Sequence, residues 1–251
     1  MRLSAVVLTH NEEKDILECL KGLNFCDEVL VIDSGSTDQT VKLASQFGAH
    51  VYYHSFTDFS DSRNFGLSKS KGDWVLFVDA DERVPDQLKK EIIQKISREE
   101  GFEGFYFRRQ DFAFGKWLKW GETAQVRLLR LAKRNSGRWR RRVHEVWEIK
   151  GQAEELKTPL EHYSHQSVEE FVKKINLYSN FDAREHFESG RRAPSWHLLA
   201  YPLGKFIQNY LARQGFRDGV IGLLFALLMS FNSFLIRAKL LLLWRKDAHR
   251  N

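Results

Sequence analysis

Trp74-Val75-Leu76-Phe77-Val78-Asp79-Ala80-Asp81-Glu82 is the stretch whose reading decides the fold. Five apolar residues in a row are too few for a globular helix and do not alternate with polar ones. A run of that kind reads as a strand covered on both faces, which is the habit of parallel sheets flanked by helices. Three acidic residues arrive where the strand ends. Two carboxylates one residue apart at a strand end can face one hard cation together with phosphate oxygens. The competing reading of Asp79-Ala80-Asp81 is a solvated acidic turn in which Asp caps a helix.

Working outward from this strand, the same grammar repeats. Leu3–Leu8, Glu28–Ile32 and His50–His54 read as further strands. Between them, Glu13–Lys21 carries Ile16, Leu17 and Leu20 on one helical face. Ser36-Thr37-Asp38 offers N-cap oxygens to a helix from Gln39 to Phe47. Ser60–Ser68 reads as helical, and Pro85 opens a helix through Lys95. Strands alternating with helices predict an α/β domain with a mostly parallel, Rossmann-like sheet and helices on both faces. In such sheets the ligand crevice lies beyond the carboxyl ends of the strands. Those ends carry Thr9-His10-Asn11-Glu12, Asp33-Ser34-Gly35-Ser36 and Asp79-Ala80-Asp81.

Past Gly104 the pattern changes. Phe105-Tyr106-Phe107 and Val143–Ile149 read as strands of an acceptor-side half of the same domain, with aromatics and arginines between them. From Ser167 the chain reads as helical: Val168–Glu188, then a stretch broken by Pro194 and Pro202, then Lys205–Gln214 and Asp218–Trp244. The expected division is 1–160 for the catalytic domain and 161–251 for a helical C-terminal region. Gly219–Ile236 is a charge-free run of membrane scale, followed by Arg237, Lys239, Trp244 and Arg245-Lys246. The preferred reading is a helix lying in the cytoplasmic leaflet, anchored by basic residues and Trp244. A true span comes second, and a buried interface in a homo-oligomer third.

Lys and Arg number 39 against 33 Asp and Glu, a balance that suits anionic lipid, phosphorylated substrates or nucleic acid without choosing among them. Cys19 and Cys26 are too few for a disulfide framework and read as free thiols of a reducing compartment. Leu3–Leu8 is too short for a signal-peptide core, so none is expected. Arg63, within Asp61-Ser62-Arg63-Asn64, could bind a diphosphate or pair with Asp79; alone, a surface ion pair is the blander reading. Pure capping explains Ser36 and Asp38 but leaves Asp33 without a role. The run Arg138-Trp139-Arg140-Arg141-Arg142 reads as a diphosphate site, an acceptor site, a headgroup contact or a solvated face. Trp139 and Trp147 suit sugar stacking or the core equally.

Thr9-x-Asn11-Glu12, Asp33-Ser34-Gly35-Ser36-Thr37-Asp38, Arg63-Asn64-x-Gly66 and Asp79-Ala80-Asp81 follow one another at a spacing that resembles family-2 glycosyltransferases of the GT-A fold. Arg127-Leu128-Leu129-Arg130 before Val143-His144-Glu145, and the Lys205-Phe206-Ile207 to Gly222 segment, are similar to the branch that includes lipopolysaccharide-core β-glucosyltransferases. Trp120-Gly121-Glu122-Thr123 departs from that branch's pattern. The resemblance implies a UDP-sugar donor, a divalent cation (Mg²⁺ or Mn²⁺), an inverting hexosyl transfer and a glycolipid or lipopolysaccharide-core acceptor. It places Thr9 and Glu12 in the nucleotide pocket and Asp33 on uracil or ribose. Asp79 would meet the ribose or the metal's hydration shell, Asp81 would ligate the metal, and Arg63 would fix this acidic pair. An inverting transfer also needs a carboxylate base, for which Glu145 and then Glu122 are the candidates; His144 would contact metal or diphosphate. The setting would be the cytoplasmic face of a bacterial inner membrane, contacted through residues 216–246, with no nucleic-acid partner. Two rivals remain. A sugar-phosphate nucleotidyltransferase would want a glycine-rich basic loop where Thr9-His10-Asn11-Glu12 stands. A non-catalytic basic membrane-binding module leaves three acidic strand ends unexplained.

Overall fold

A computed structural model describes residues 2–98, 101–141, 145–164 and 167–248. Contacts divide the chain into two compact units: Met1–Gln110 with Val126–Tyr163, and Asp111–Gln125 with Ser164–Asn251. The first begins with β1 (Leu3–Thr9), α1 (Ile16–Lys21), β2 (Glu28–Asp33), α2 (Thr40–Phe47), β3 (His50–Tyr53), α3 (Phe59–Lys69) and β4 (Trp74–Asp79). It continues through β5 (Glu82–Arg83), α4 (Asp86–Ile96) and most of β6 (Phe102–Ala113), whose last residues belong with β7 (Lys116–Trp117) to the second unit. After β8 (Arg127–Lys133) come β9 (Gly137–Arg140), β10 (Val146–Ile149), β11 (Gln152–Glu155) and β12 (Leu160–His162).

The sheet of the first unit runs β3-β2-β1-β4-β8-β6. Its first four strands are parallel, and β8 is antiparallel to both β4 and β6. Continuous apolar strands are explained by two cores, one on each face. Ala5, Val7, Leu76 and Val78 point to one face, where Ile16, Leu20, Leu88 and Ile92 of α1 and α4 cover them. Val6, Val75 and Phe77 point to the other, against Trp139 and Trp147 of the β9–β10 hairpin and Phe65 of α3. The two tryptophans are therefore core, stacked at 5.3 Å, while Arg138 and Arg140 between and beside them face outward.

Several expected elements differ in extent. α1 starts at Ile16 rather than Glu13, because the Glu12 carbonyl accepts from the N–H groups of Asp15 and Ile16 in a preceding turn. The short strand expected at 105–107 extends over Phe102–Ala113, since β8 and β11 both pair along it. Of the expected strand at 143–149, Val146–Ile149 is observed, and residues 143 and 144 lie outside the described residues.

The second unit holds α5 (Val168–Glu188), α6 (His197–Ile207) and α7 (Gly219–Ala248). Pro202, expected as a breaker, sits inside α6. It removes one backbone donor without ending the helix, which carries on into a π-helical turn at Gln208–Ala212. Segment 111–125 groups with these helices, whereas the expected division at 160 placed it in the catalytic domain. Asp218 takes the backbone N–H groups of Lys119 and Trp120, the Gly121 N–H donates to the Arg213 carbonyl, and Glu122 binds Lys205.

Candidate active site

Parallel register brings the polar strand ends of the first unit side by side. Thr9 pairs with Asp33 across β1 and β2, and Leu8 of β1 pairs with Asp79 of β4. The loops after β1 and β2 are laced together. Asn11, in the left-handed region at φ 56°, donates its N–H to Ser36 Oγ and accepts from the Thr37 N–H through Oδ1 at 2.8 Å. The Glu12 N–H donates to Thr40 Oγ1, and the Glu13 N–H to Asp38 Oδ2. Asp33, left unexplained by capping, organises this loop from a buried position. Its Oδ2 accepts from the N–H groups of Gly35 and Ser36, and its Oδ1 from the Ser36 hydroxyl. Ser36 thus serves Asp33 and Asn11 rather than the helix, and it is Asp38 that reaches the Thr40 N–H. Thr9 Oγ1 is buried without a hydrogen-bond partner.

Beneath Asp79 lies a buried charge cluster. Arg63, read either as a partner of diphosphate or Asp79 or as a surface ion pair, is 2% exposed. Its guanidinium lies 4.7 Å from the Trp139 ring and binds Asp79 Oδ1 and Glu145 Oε1, each at 2.9 Å. Asn64 clamps the same tryptophan's backbone with a pair of 3.0 Å hydrogen bonds, which fixes α3 against β9. On the other side, Arg130 of β8 donates through Nη2 to Asp79 Oδ2 at 2.5 Å and to Glu82 Oε1 at 3.2 Å. The Asp79 N–H donates to Glu82 Oε2 at 2.8 Å. Burial works to raise the Asp79 carboxyl, but Arg130 and Arg63 together outweigh it and hold the group down at about 2. Glu82, fully buried, is pushed up by burial and by Asp79, against the pull of Arg130.

Asp81 follows with its side chain 13% exposed, and His162 Nε2 lies 3.4 Å from its Oδ2. The Asp81 carbonyl accepts from the Tyr163 N–H, which fixes the turn to β12. Arg83 braces that turn through the carbonyls of Ala80 and Glu82 and an ion pair with Asp15.

Of the residues singled out in the sequence, Arg63, Asp79 and Glu145 are in direct contact, Thr9 pairs with Asp33, and Asp79 pairs with Leu8, the neighbour of Thr9. Glu122 belongs to the second unit, where Lys205 Nζ lies at 2.7 Å and Asn209 Nδ2 at 3.1 Å. His144 lies outside the described residues. Sequence reasoning missed Arg130, Glu82 and His162 as members of the site. Arg130 had a legible signal, an arginine amid Leu128-Leu129 and Leu131-Ala132 that demands a buried carboxylate partner. His162 had none, because only the pairing of β12 with β5 brings it to Asp81.

The model described as Glycosyl transferase family 2 matches residues 4–150. The chain is 27% identical over 246 residues to the lipopolysaccharide core biosynthesis glycosyltransferase LpsC of Rhizobium meliloti (strain 1021), covering 95% of this chain and 91% of that protein. An uncharacterized glycosyltransferase of Rickettsia conorii is 26% identical over 252 residues, covering 95% and 89%. Among solved structures, glucosyl-3-phosphoglycerate synthase from Mycobacterium tuberculosis, in complex with Mn²⁺, UDP-glucose and glycerol 3-phosphate, aligns at 26% identity with a TM-score of 0.38. That alignment spans 46% of this chain and 45% of the synthase, less than half of each.

Proposed function

The chain belongs to glycosyl transferase family 2, and from that membership we propose that it moves a hexosyl group from a UDP-sugar to a hydroxyl of a glycolipid or lipopolysaccharide-core acceptor, with inversion. One observation carries the reading: three neighbouring parallel strands end at Thr9, Asp33 and Asp79, and Asp79 is fixed between two buried arginines two residues before Asp81. Similarity along nearly the whole chain to a lipopolysaccharide core biosynthesis enzyme supports the acceptor class.

The donor set fits a divalent cation shared with substrate. Among the described residues no three His, Cys, Asp or Glu side chains form a protein-only cage. Asp81, with Asp79 nearby, supplies the one or two carboxylates that Mg²⁺ or Mn²⁺ takes when phosphate oxygens and water complete its shell. Bound there, the cation would neutralise charge developing on the departing UDP. Asp81 would be its ligand. Asp79, held by Arg63 and Arg130, would present a fixed charge to the ribose or to the metal's hydration shell. Thr9, Glu12 and Asp33 would line the nucleoside pocket, and the unpartnered Thr9 hydroxyl suits a hydrogen bond there.

In the transfer, the acceptor oxygen bonds to the anomeric carbon as the bond from that carbon to the diphosphate oxygen breaks. The acceptor proton passes to a carboxylate. We assign that role to Glu145 before Glu122, because Glu145 shares Arg63 with Asp79. His144 keeps its proposed place at metal or diphosphate. Helix Gly215–Ala248 is long and apolar enough to cross a membrane, which supports attachment to the bacterial inner membrane. Its cationic end, Arg245-Lys246, favours the cytoplasmic side.

The test is release of UDP from a panel of UDP-sugars with Mn²⁺ or Mg²⁺ and a membrane lipid extract. Release should need the metal, stop on chelation, and fall by roughly two orders of magnitude or more in Asp81→Ala. Full metal-dependent release by that variant would remove Asp81 from the site.

A further inference from the structure

α6 has no buried residue, although it is one of the most apolar segments of the chain. Leu199 (79% exposed), Leu203 (61%), Ile207 and Leu211 recur every fourth position, so they form one stripe along α6 and the π-helical turn. α7 adds exposed Leu227 and Phe231. The two helices pack on one another, and Ser230 Oγ donates to the Pro202 carbonyl at 2.7 Å. The segment that carries this surface is cationic. From Ser189 to Lys246 the chain carries nine Lys and Arg residues and a single acidic one, Asp218, which is buried. An uncovered apolar face on a cationic segment matches an anionic bilayer surface.

Packing also says how α7 meets that surface. α5 lies along α7 from Leu228 to Trp244: Phe171 and Ile175 pack with Leu228, and the Phe187 ring lies 4.5 Å from Trp244. Lys239 Nζ is spent on Asn176 and Ser179 of α5. α5 carries charges along its length, from Glu169 and Lys173 to Arg184 and Glu188. A span by α7 would draw those charges into hydrocarbon, where each is strongly unfavourable. We infer that α6 and α7 together form a monotopic, two-helix attachment to anionic lipid, in which α6 supplies an insertion stripe and α7 does not cross. This extends the attachment reading from one helix to two, and its readout, lipid binding, is separate from sugar transfer.

The experiment is flotation of the purified full-length chain with vesicles of phosphatidylethanolamine and phosphatidylglycerol, beside phosphatidylcholine vesicles. The wild type should float with the anionic vesicles and be released by alkaline carbonate. Leu199→Glu, Leu203→Glu and Ile207→Glu together should cut the bound fraction at least tenfold, with an unchanged circular dichroism spectrum and melting point. Should that variant misfold, Arg245→Gln with Lys246→Gln supplies a second reading, a loss of roughly tenfold on anionic vesicles only. Three results overturn the inference: carbonate resistance of the wild type, which means a span; α6 variants that float like the wild type; or an altered oligomer mass with lipid binding intact, which means the face seats a second copy of the chain.

Discussion

Arg130→Met tests the charge cluster beneath the site. Methionine keeps much of the side-chain volume and removes the guanidinium that reaches Asp79 at 2.5 Å and Glu82 at 3.2 Å. Asp79 would retain Arg63, but Glu82, fully buried, would be left with the Asp79 N–H and the nearby His162. Removing one partner of a buried pair costs about 3–5 kcal/mol. Asp79 is about a third exposed, so solvent relieves part of its share and the lower end, about 3 kcal/mol, is expected. At roughly 2–4 °C per kcal/mol for a chain of this size, the melting point should fall by about 6–12 °C. The loss should depend on pH. Glu82 is raised in the fold, so its ionisation penalty is absent below the unfolded carboxyl value of about 4.3 and grows as pH rises through the folded value. Without Arg130 that penalty is larger, so the deficit should be smaller at pH 5 than at pH 8. Thermal melts followed by circular dichroism at both pH values, with Arg130→Lys as a partial rescue, give the answer. A fall of under about 2 °C at pH 8, or an equal deficit at both values, would refute the reasoning.

Glu145→Gln should lower kcat by roughly 10²–10⁴-fold while UDP affinity, read by titration, holds; if Glu122→Gln does this instead, the base is Glu122. Gly66→Ala should destabilise by about 1–3 kcal/mol in urea unfolding despite alanine's higher helix propensity. Its Cβ would stand 2.5 Å from Val6 Cγ1 and 3.2 Å from Ile32 Cγ1, so a stabilised variant would contradict this close approach of α3 to the sheet. Asp79 is depressed to about 2, so its contribution is present above the unfolded value of about 3.9 and is lost as pH falls toward 2. Asp79→Asn should therefore flatten the acid limb of melting point against pH between those values, and parallel limbs in variant and wild type would rule that contribution out.

Much of the first unit was legible because its signals are local. β1, β2 and β4 centre on the apolar runs Ala5–Leu8, Val29–Ile32 and Trp74–Val78, since helices and the β9–β10 hairpin cover both faces. Their polar ends line up for the same reason: parallel neighbours in register end together. β5 and β12 were not legible, because Glu82-Arg83 and Leu160–His162 have no periodicity and exist as strands only through their pairing. The depth of Arg63 was hidden too. Nothing near it in the chain announces burial, and its cover comes from Trp139, 76 positions along.

What the sequence determined by itself, then, is an α/β sheet with an acidic crevice and a long apolar helix near its C-terminal end, because period, strand length and capping act within a few residues. What only the tertiary structure decided is how those charges are used. Arg63 and Arg130 come from α3 and β8 to hold one carboxylate of β4, Asp33 spends its oxygens on its own loop, and Glu122 joins the helices of the second unit. Electrostatic partnership depends on distance and burial, and both are set by strands and helices that meet across the fold rather than along the chain.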